Sequence, residues 1–222
     1  MTFLFYILVF VLSSSIVSFL TVVGYDFPKI EIMRRSKCNN CQKQLKWLEL
    51  FPVIGYLFLK GRCRNCHKRI SWIYPTTELF GAIFVILAIY LEKNIYLFAP
   101  IFIMITLLAF MDFYHGFIYP IFYLLSIPSF ILFIVFHHKI YLITGIITYL
   151  ILLCMYRFSK GIGMGDIEVL TILALFFGYT SILNIILLAC IMCILHHLIN
   201  KKRSFRFIPY ITIATGIIFL IS

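Results

Sequence analysis

Residues 169–200 read VLTILALFFGYTSILNIILLACIMCILHHLIN and contain no Asp, Glu, Lys or Arg. At about 1.5 Å of rise per residue, one helix of that length overshoots about 30 Å of hydrocarbon, and two helices fall somewhat short of it. Either way the run belongs in a bilayer. The whole chain agrees, since 222 residues that are 63% hydrophobic and only 12% charged are too apolar for a water-soluble protein. The sequence is read as an all-α polytopic membrane protein.

Working outward, further apolar runs cover 2–24, 76–91, 95–111, 117–136, 140–156 and 207–221. The first has no Lys or Arg before it, so it lacks the basic n-region of a cleaved secretory signal and is expected to be a retained span. Charge decides how to divide 169–200, because short cytoplasmic loops carry the Lys and Arg excess. With a break near Gly178-Tyr179-Thr180-Ser181, one side receives 11 basic residues from 26–75, two from 157–166 and four from 200–206. Only Lys93 and Lys139 then lie opposite. Without the break the split weakens to 13 against six. The expectation is about eight transmembrane helices, with both termini extracytoplasmic.

Three regions follow: a first transmembrane helix at 1–25, a basic cytoplasmic loop at 26–75, and a seven-helix membrane domain at 76–222. The positive-inside rule accounts for the charge of the loop, with anionic lipid as its neighbour, so no nucleic-acid partner is expected. No internal repeat, low-complexity tract or flexible linker is read.

Within that loop stand Cys38-x-x-Cys41 and Cys63-x-x-Cys66. Two residues between thiolates let one turn present both sulfurs to a single ion, and two such turns complete a four-cysteine zinc site. Lys37, Lys43, Arg62, Arg64 and Lys68 would offset the charge of a zinc tetrathiolate. Disulfides are the alternative, disfavoured by a reducing compartment. A site closed by four protein ligands would be structural. Cys154, Cys190 and Cys193 lie in apolar helices and are read as packing residues.

Of eight acidic residues, Asp112 ends the third span, and Asp166 and Glu168 begin the sixth at the same boundary. Carboxylates at one membrane depth suggest a shared site. If two of them approach, one holds a proton while the other is ionised, the logic of an aspartic peptidase. The other reading is two unrelated polar helix ends, with Asp166 as a cap. The preceding Gly161-Ile162-Gly163-Met164-Gly165 supplies glycines where another segment can come close.

This combination resembles the prepilin peptidases, membrane aspartic peptidases with a GxGD motif, here Gly163-Met164-Gly165-Asp166. The resemblance covers nearly the whole chain. It includes Ser18-Phe19-Leu20, Pro28, the cysteine loop with Pro52-Val53-Ile54-Gly55-Tyr56-Leu57 and Gly61-Arg62-Cys63-Arg64-Asn65-Cys66, then Tyr74-Pro75 and Glu78-Leu79. It implies a catalytic pair, Asp112 and Asp166, supported by Gly163, Met164 and Gly165. It further implies cleavage of type IV prepilin or pseudopilin leaders after a glycine, at the cytoplasmic face of a bacterial inner membrane, in pilus assembly, competence or protein secretion. Many relatives also methylate the new N-terminus from S-adenosylmethionine, an activity associated with the cysteine loop. No pocket for that cofactor is read from the residues; Glu78, near the loop, is the one candidate.

Two departures stand out. Where the family usually has a Pro-Asp after the first aspartate, this chain has Pro120-Ile121, and where it often has Lys two residues after GxGD, this chain has Glu168. The competing function is a zinc-binding membrane assembly or sensor protein without peptidase activity. An ion transporter would need ionisable groups near the bilayer midplane, and none falls there.

Overall fold

A computed structural model describes residues 2–28, 36–38, 40–159, 161–200 and 206–222. Residues 29–35 of the expected loop, Lys160, and 201–205 of the expected basic cluster lie outside the described residues. Elements are helical throughout; β pairing among the described residues is limited to two isolated bridges. The chain divides into two compact units, Met1–Lys93 and Asn94–Ser222.

The first unit holds α1 (Thr2–Asp26), a short α2 (Ile54–Phe58) and α3 (Ile73–Tyr90). α1 and α3 pack on each other. Gly81 permits the approach, because a Cβ there would lie 2.5 Å from Val17 Cγ2. Ser13, Ser14 and Thr21 return their hydroxyls to the Val9, Phe10 and Val17 carbonyls at 2.7, 2.7 and 2.8 Å, so these polar groups are satisfied inside an apolar helix. α3 starts a few residues before the expected 76 because Pro75 falls in its first turn, where the missing N–H has no helical partner to lose.

The second unit holds α4 (Ile95–His115), a 3-10 turn (Pro120–Ser126), α5 (Ile127–Val135), α6 (Leu142–Ser159), α7 (Met164–Asn200) and α8 (Ile208–Ile221). α4 is its centre. Leu97, Ile101, Met104, Ile105, Leu108 and Met111 recur at helical spacing and are all inaccessible. α8 runs alongside, with Thr212 donating to the Ile105 carbonyl at 3.2 Å. Phe133, Phe177 and Phe219 gather around Phe98 at 5.1, 5.0 and 4.9 Å between ring centroids.

The expected fourth span at 117–136 is not one continuous helix. Pro120 and Pro128 each open a new element, so a 3-10 turn precedes α5. The break expected near 178–181 falls at Gly178, whose φ of 74° and ψ of −178° interrupt α7. A side chain there would meet the Tyr141 ring at 3.2 Å. Among the described residues, four helices are long and apolar enough to cross a membrane: Phe3–Asp26, Ile73–Tyr90, Ile95–His115 and Met164–Ile199. Pro120–Val135, Leu142–Phe158 and Ile208–Ile221 are shorter apolar segments.

Candidate functional site

Two constellations carry chemistry, one in each unit. In the first, Cys38, Cys41, Cys63 and Cys66 converge, their sulfurs all within 4.8 Å of one another. Cys38 and Cys66 sulfurs are 3.8 Å apart, and those of Cys41 and Cys63 are 3.9 Å apart. A tetrahedral zinc with bonds of about 2.3 Å separates its sulfurs by about 3.8 Å, so the cluster has the size that zinc requires. A disulfide needs about 2.05 Å, and all four cysteines are free.

The two halves are built alike. Lys37 pairs with Gln44 and Arg62 with Arg69, closing equivalent turns. Cys38 N–H donates to the Lys43 carbonyl at 3.0 Å, and Cys63 N–H to that of Lys68 at 2.9 Å. Gln42 and His67 each take a φ of 55°. The turns clasp each other, since Lys43 Nζ donates to Asn65 Oδ1 at 3.0 Å and Lys68 Nζ to Asn40 Oδ1 at 3.1 Å. This corrects the expectation of no internal repeat. KCNNCQKQL at 37–45 and RCRNCHKRI at 62–70 are two copies of one nine-residue unit. With only two short copies, the likeness lies in the equivalent bridges and hydrogen bonds more than in the residues. The Lys68 N–H, followed by the Asn40 side chain, lowers the Cys66 thiol to about 6. The Lys43 N–H likewise lowers Cys41. Such thiols are ready metal ligands.

Glu78 belongs to the same unit. Its Oε2 accepts the Val53 N–H at 2.8 Å, and Ser18 of α1 bonds it as well, so it pins the loop to both long helices.

The second constellation lies where α4 ends and α7 begins. Gly116 closes α4 in the left-handed conformation, with its N–H bonded to the Asp112 carbonyl at 2.9 Å, which leaves Asp112 in the last turn. Asp166 sits in the first turn of α7 and forms a reciprocal cap. Its Oδ2 accepts the Gly163 N–H at 3.2 Å, and its own N–H donates to the Gly163 carbonyl at 3.1 Å. The two glycines of the motif have separate reasons. A Cβ on Gly163 would press on Asp166 Oδ2 at 3.1 Å, and one on Gly165 would collide with Ile118 Cδ1 and lie 2.7 Å from its Cγ1.

The charge of Asp112 acts on Asp166, after burial and the Gly163 N–H. Asp112 is 9% exposed, and its Oδ2 is buried with no hydrogen-bond partner among the described residues. The Ile208 N–H, at the start of α8, is directed at the Asp112 carboxylate, and Arg206 acts on it electrostatically. The Arg206 guanidinium also lies 5.9 Å over the Phe113 ring. The Tyr123 hydroxyl is buried beside Glu168 and Asp166 without a well-formed hydrogen bond.

Tyr123 and Arg206 were not legible as site residues. Arg206 counted only as one of a basic cluster, and Tyr123 stands in an apolar stretch. The nearest signal was the pair of departures from the GxGD pattern, Pro120-Ile121 and Glu168. The 3-10 turn that starts at Pro120 is what carries Tyr123 to Glu168.

A family model described as the bacterial Peptidase A24 N-terminal domain matches residues 11–91, and one described as the type IV leader peptidase family matches residues 97–198. No curated protein and no solved structure matches the chain.

Proposed function

Because the chain belongs to the type IV leader peptidase family, we propose that it is a membrane aspartyl endopeptidase that removes the leader of type IV prepilins or pseudopilins after a glycine. What supports this reading is the placement of Asp112 in the last turn of α4 and of Asp166 in the first turn of α7, where the charge of Asp112 acts on Asp166. On this reading the two carboxylates come within hydrogen-bonding distance when substrate is bound and share one proton. The ionised member takes a proton from water, the water attacks the scissile carbonyl, and the protonated member hydrogen-bonds the developing oxyanion. The proton taken from water then passes to the leaving amine. Gly163 and Gly165 keep the start of α7 open enough for Asp166 to take this place.

Eight spans, both termini extracytoplasmic and an active site at the cytoplasmic face of a bacterial inner membrane follow from the distribution of Lys and Arg. The break at Gly178 is compatible with that count. The four cysteines would hold a structural zinc that folds the loop. Methylation of the new N-terminal amine from S-adenosylmethionine is proposed on the family resemblance alone and is assigned to no residue. The physiological setting, in pili, competence or secretion, rests on the same resemblance.

The test is co-expression with a prepilin-type substrate, with and without Asp112→Asn and Asp166→Asn, reading the substrate N-terminus by mass spectrometry. Both variants should lose cleavage while remaining in the membrane. Cleavage that persists in either one would exclude the pair as assigned. A methyl increment on the wild-type product would add the second activity.

A further inference from the structure

The loop between α1 and α3 has an unusual surface for a segment outside the hydrocarbon. Trp47 is 77% exposed and Phe58 77%, with Leu48, Leu57 and Trp72 comparably open. α2 shows how this arises. Gly55 is buried against the Glu49 carbonyl, where a Cβ would come to 2.5 Å, and Tyr56 stacks on Trp72 at 5.3 Å. That side of the helix faces the loop. Ile54, Leu57 and Phe58, at i, i+3 and i+4, form the opposite face, which is apolar and exposed. An outward apolar face on an extramembrane helix needs something to cover it.

We propose that this face, with Trp47 and Leu48 beside it, lies in the interfacial layer of an anionic bilayer. Charge complementarity selects the occupant. Lys46, Lys60, Arg62 and Arg69 flank the apolar residues and are exposed. The one acid of the segment 36–72, Glu49, is engaged by the Lys46 N–H at 2.9 Å and lies 3.9 Å from Arg64. Basic residues around an exposed Trp, Leu and Phe face are the pattern of an interfacial amphipathic segment on anionic lipid. Tethering points the same way. α1 and α3 are both long enough to span, and Val17 meets Gly81 while Ser18 meets Glu78, so both ends of the loop reach the bilayer at one face. Trp72 stands immediately before α3, at the level where aromatic belts form. The cysteine turns, in the same loop, are thereby held close to the membrane surface. This inference is independent of the peptidase reading.

The chain contains two tryptophans, Trp47 and Trp72. In the full-length protein, Trp72→Phe therefore leaves Trp47 as the sole indole reporter. The variant is reconstituted in phosphatidylcholine vesicles with and without phosphatidylglycerol, some of the lipid brominated just below the headgroups. Blue-shifted emission, quenched about twofold by the bromines in the anionic vesicles and shielded from aqueous iodide, is the expected result for a residue about 5–10 Å into the boundary. Quenching by iodide alone would place Trp47 in water and overturn the proposal. Protection from both quenchers would mean that protein covers it, and would also overturn the proposal. Leu57→Glu with Phe58→Glu, added to that variant, should abolish the bromine quenching while the four-cysteine metal content is unchanged.

Discussion

Gly165→Ala puts the explanation of the glycine motif to its hardest test. A Cβ at 165 would collide with Ile118 Cδ1 and approach its Cγ1 to 2.7 Å. Carbon atoms settle at about 3.5–4.0 Å, so α7 and the 117–119 segment must part by about 1 Å. Overpacking of this kind costs about 1–3 kcal/mol, which a membrane protein of this size should survive. If Asp166 acts as proposed, leader cleavage is less tolerant, because Asp166 is the next residue. A displacement of about 1 Å at a reacting group lowers the rate about 100-fold. The assay is a time course of leader removal from a prepilin-type substrate in proteoliposomes, read by mass spectrometry, with thermal unfolding followed in parallel. Gly165→Ala should lose about two orders of magnitude in rate and only a few degrees in Tm. Ile118→Ala removes both offending carbons, so adding it to Gly165→Ala should restore most of the rate. Wild-type activity in the single variant, or no recovery in a folded double variant, would refute the steric argument.

Cys38→Ser should abolish bound zinc as measured by elemental mass spectrometry, and unchanged metal content would remove the four-cysteine assignment. In metal-free protein, alkylation of Cys66 should show a midpoint near the value of about 6 set by Lys68 and Asn40. Because that value is depressed from 9.0, the thiolate's contribution to loop stability is complete above about pH 9 and is lost as pH falls through about 6. A midpoint near 9 would show that the turn does not hold the thiolate. Glu78→Ala strands the Val53 N–H and should destabilise the first unit by about 1–3 kcal/mol, whereas Glu78→Gln, which keeps an acceptor, should cost less. Equal losses of Tm in the two would contradict that role. Tyr123→Phe removes a buried oxygen that has no good hydrogen bond, so Tm should hold or rise. A fall of several degrees would mean the hydroxyl is bonded within the protein.

Composition and periodicity alone identify the solvent in which this chain folds, because hydrocarbon tolerates almost no charge and residues 169–200 carry none. Cysteine spacing is equally readable, since two residues between ligands is a property of local turn geometry. The aspartate pair was legible only as two positions at one depth. Depth follows from counting residues along helices, but whether the end of α4 lies near the start of α7 depends on how the helices are arranged. Apolar faces on every side leave that undetermined in a sequence. For the same reason Tyr123 and Arg206 emerged only with the fold: one is delivered by a 3-10 turn that two prolines impose, the other by the entry into α8. Local chemistry in this protein is set by residue order. Which groups lie near Asp166, among them Asp112 and Tyr123, is set by packing, because residues drawn from separate helices share an environment only once the helices are arranged.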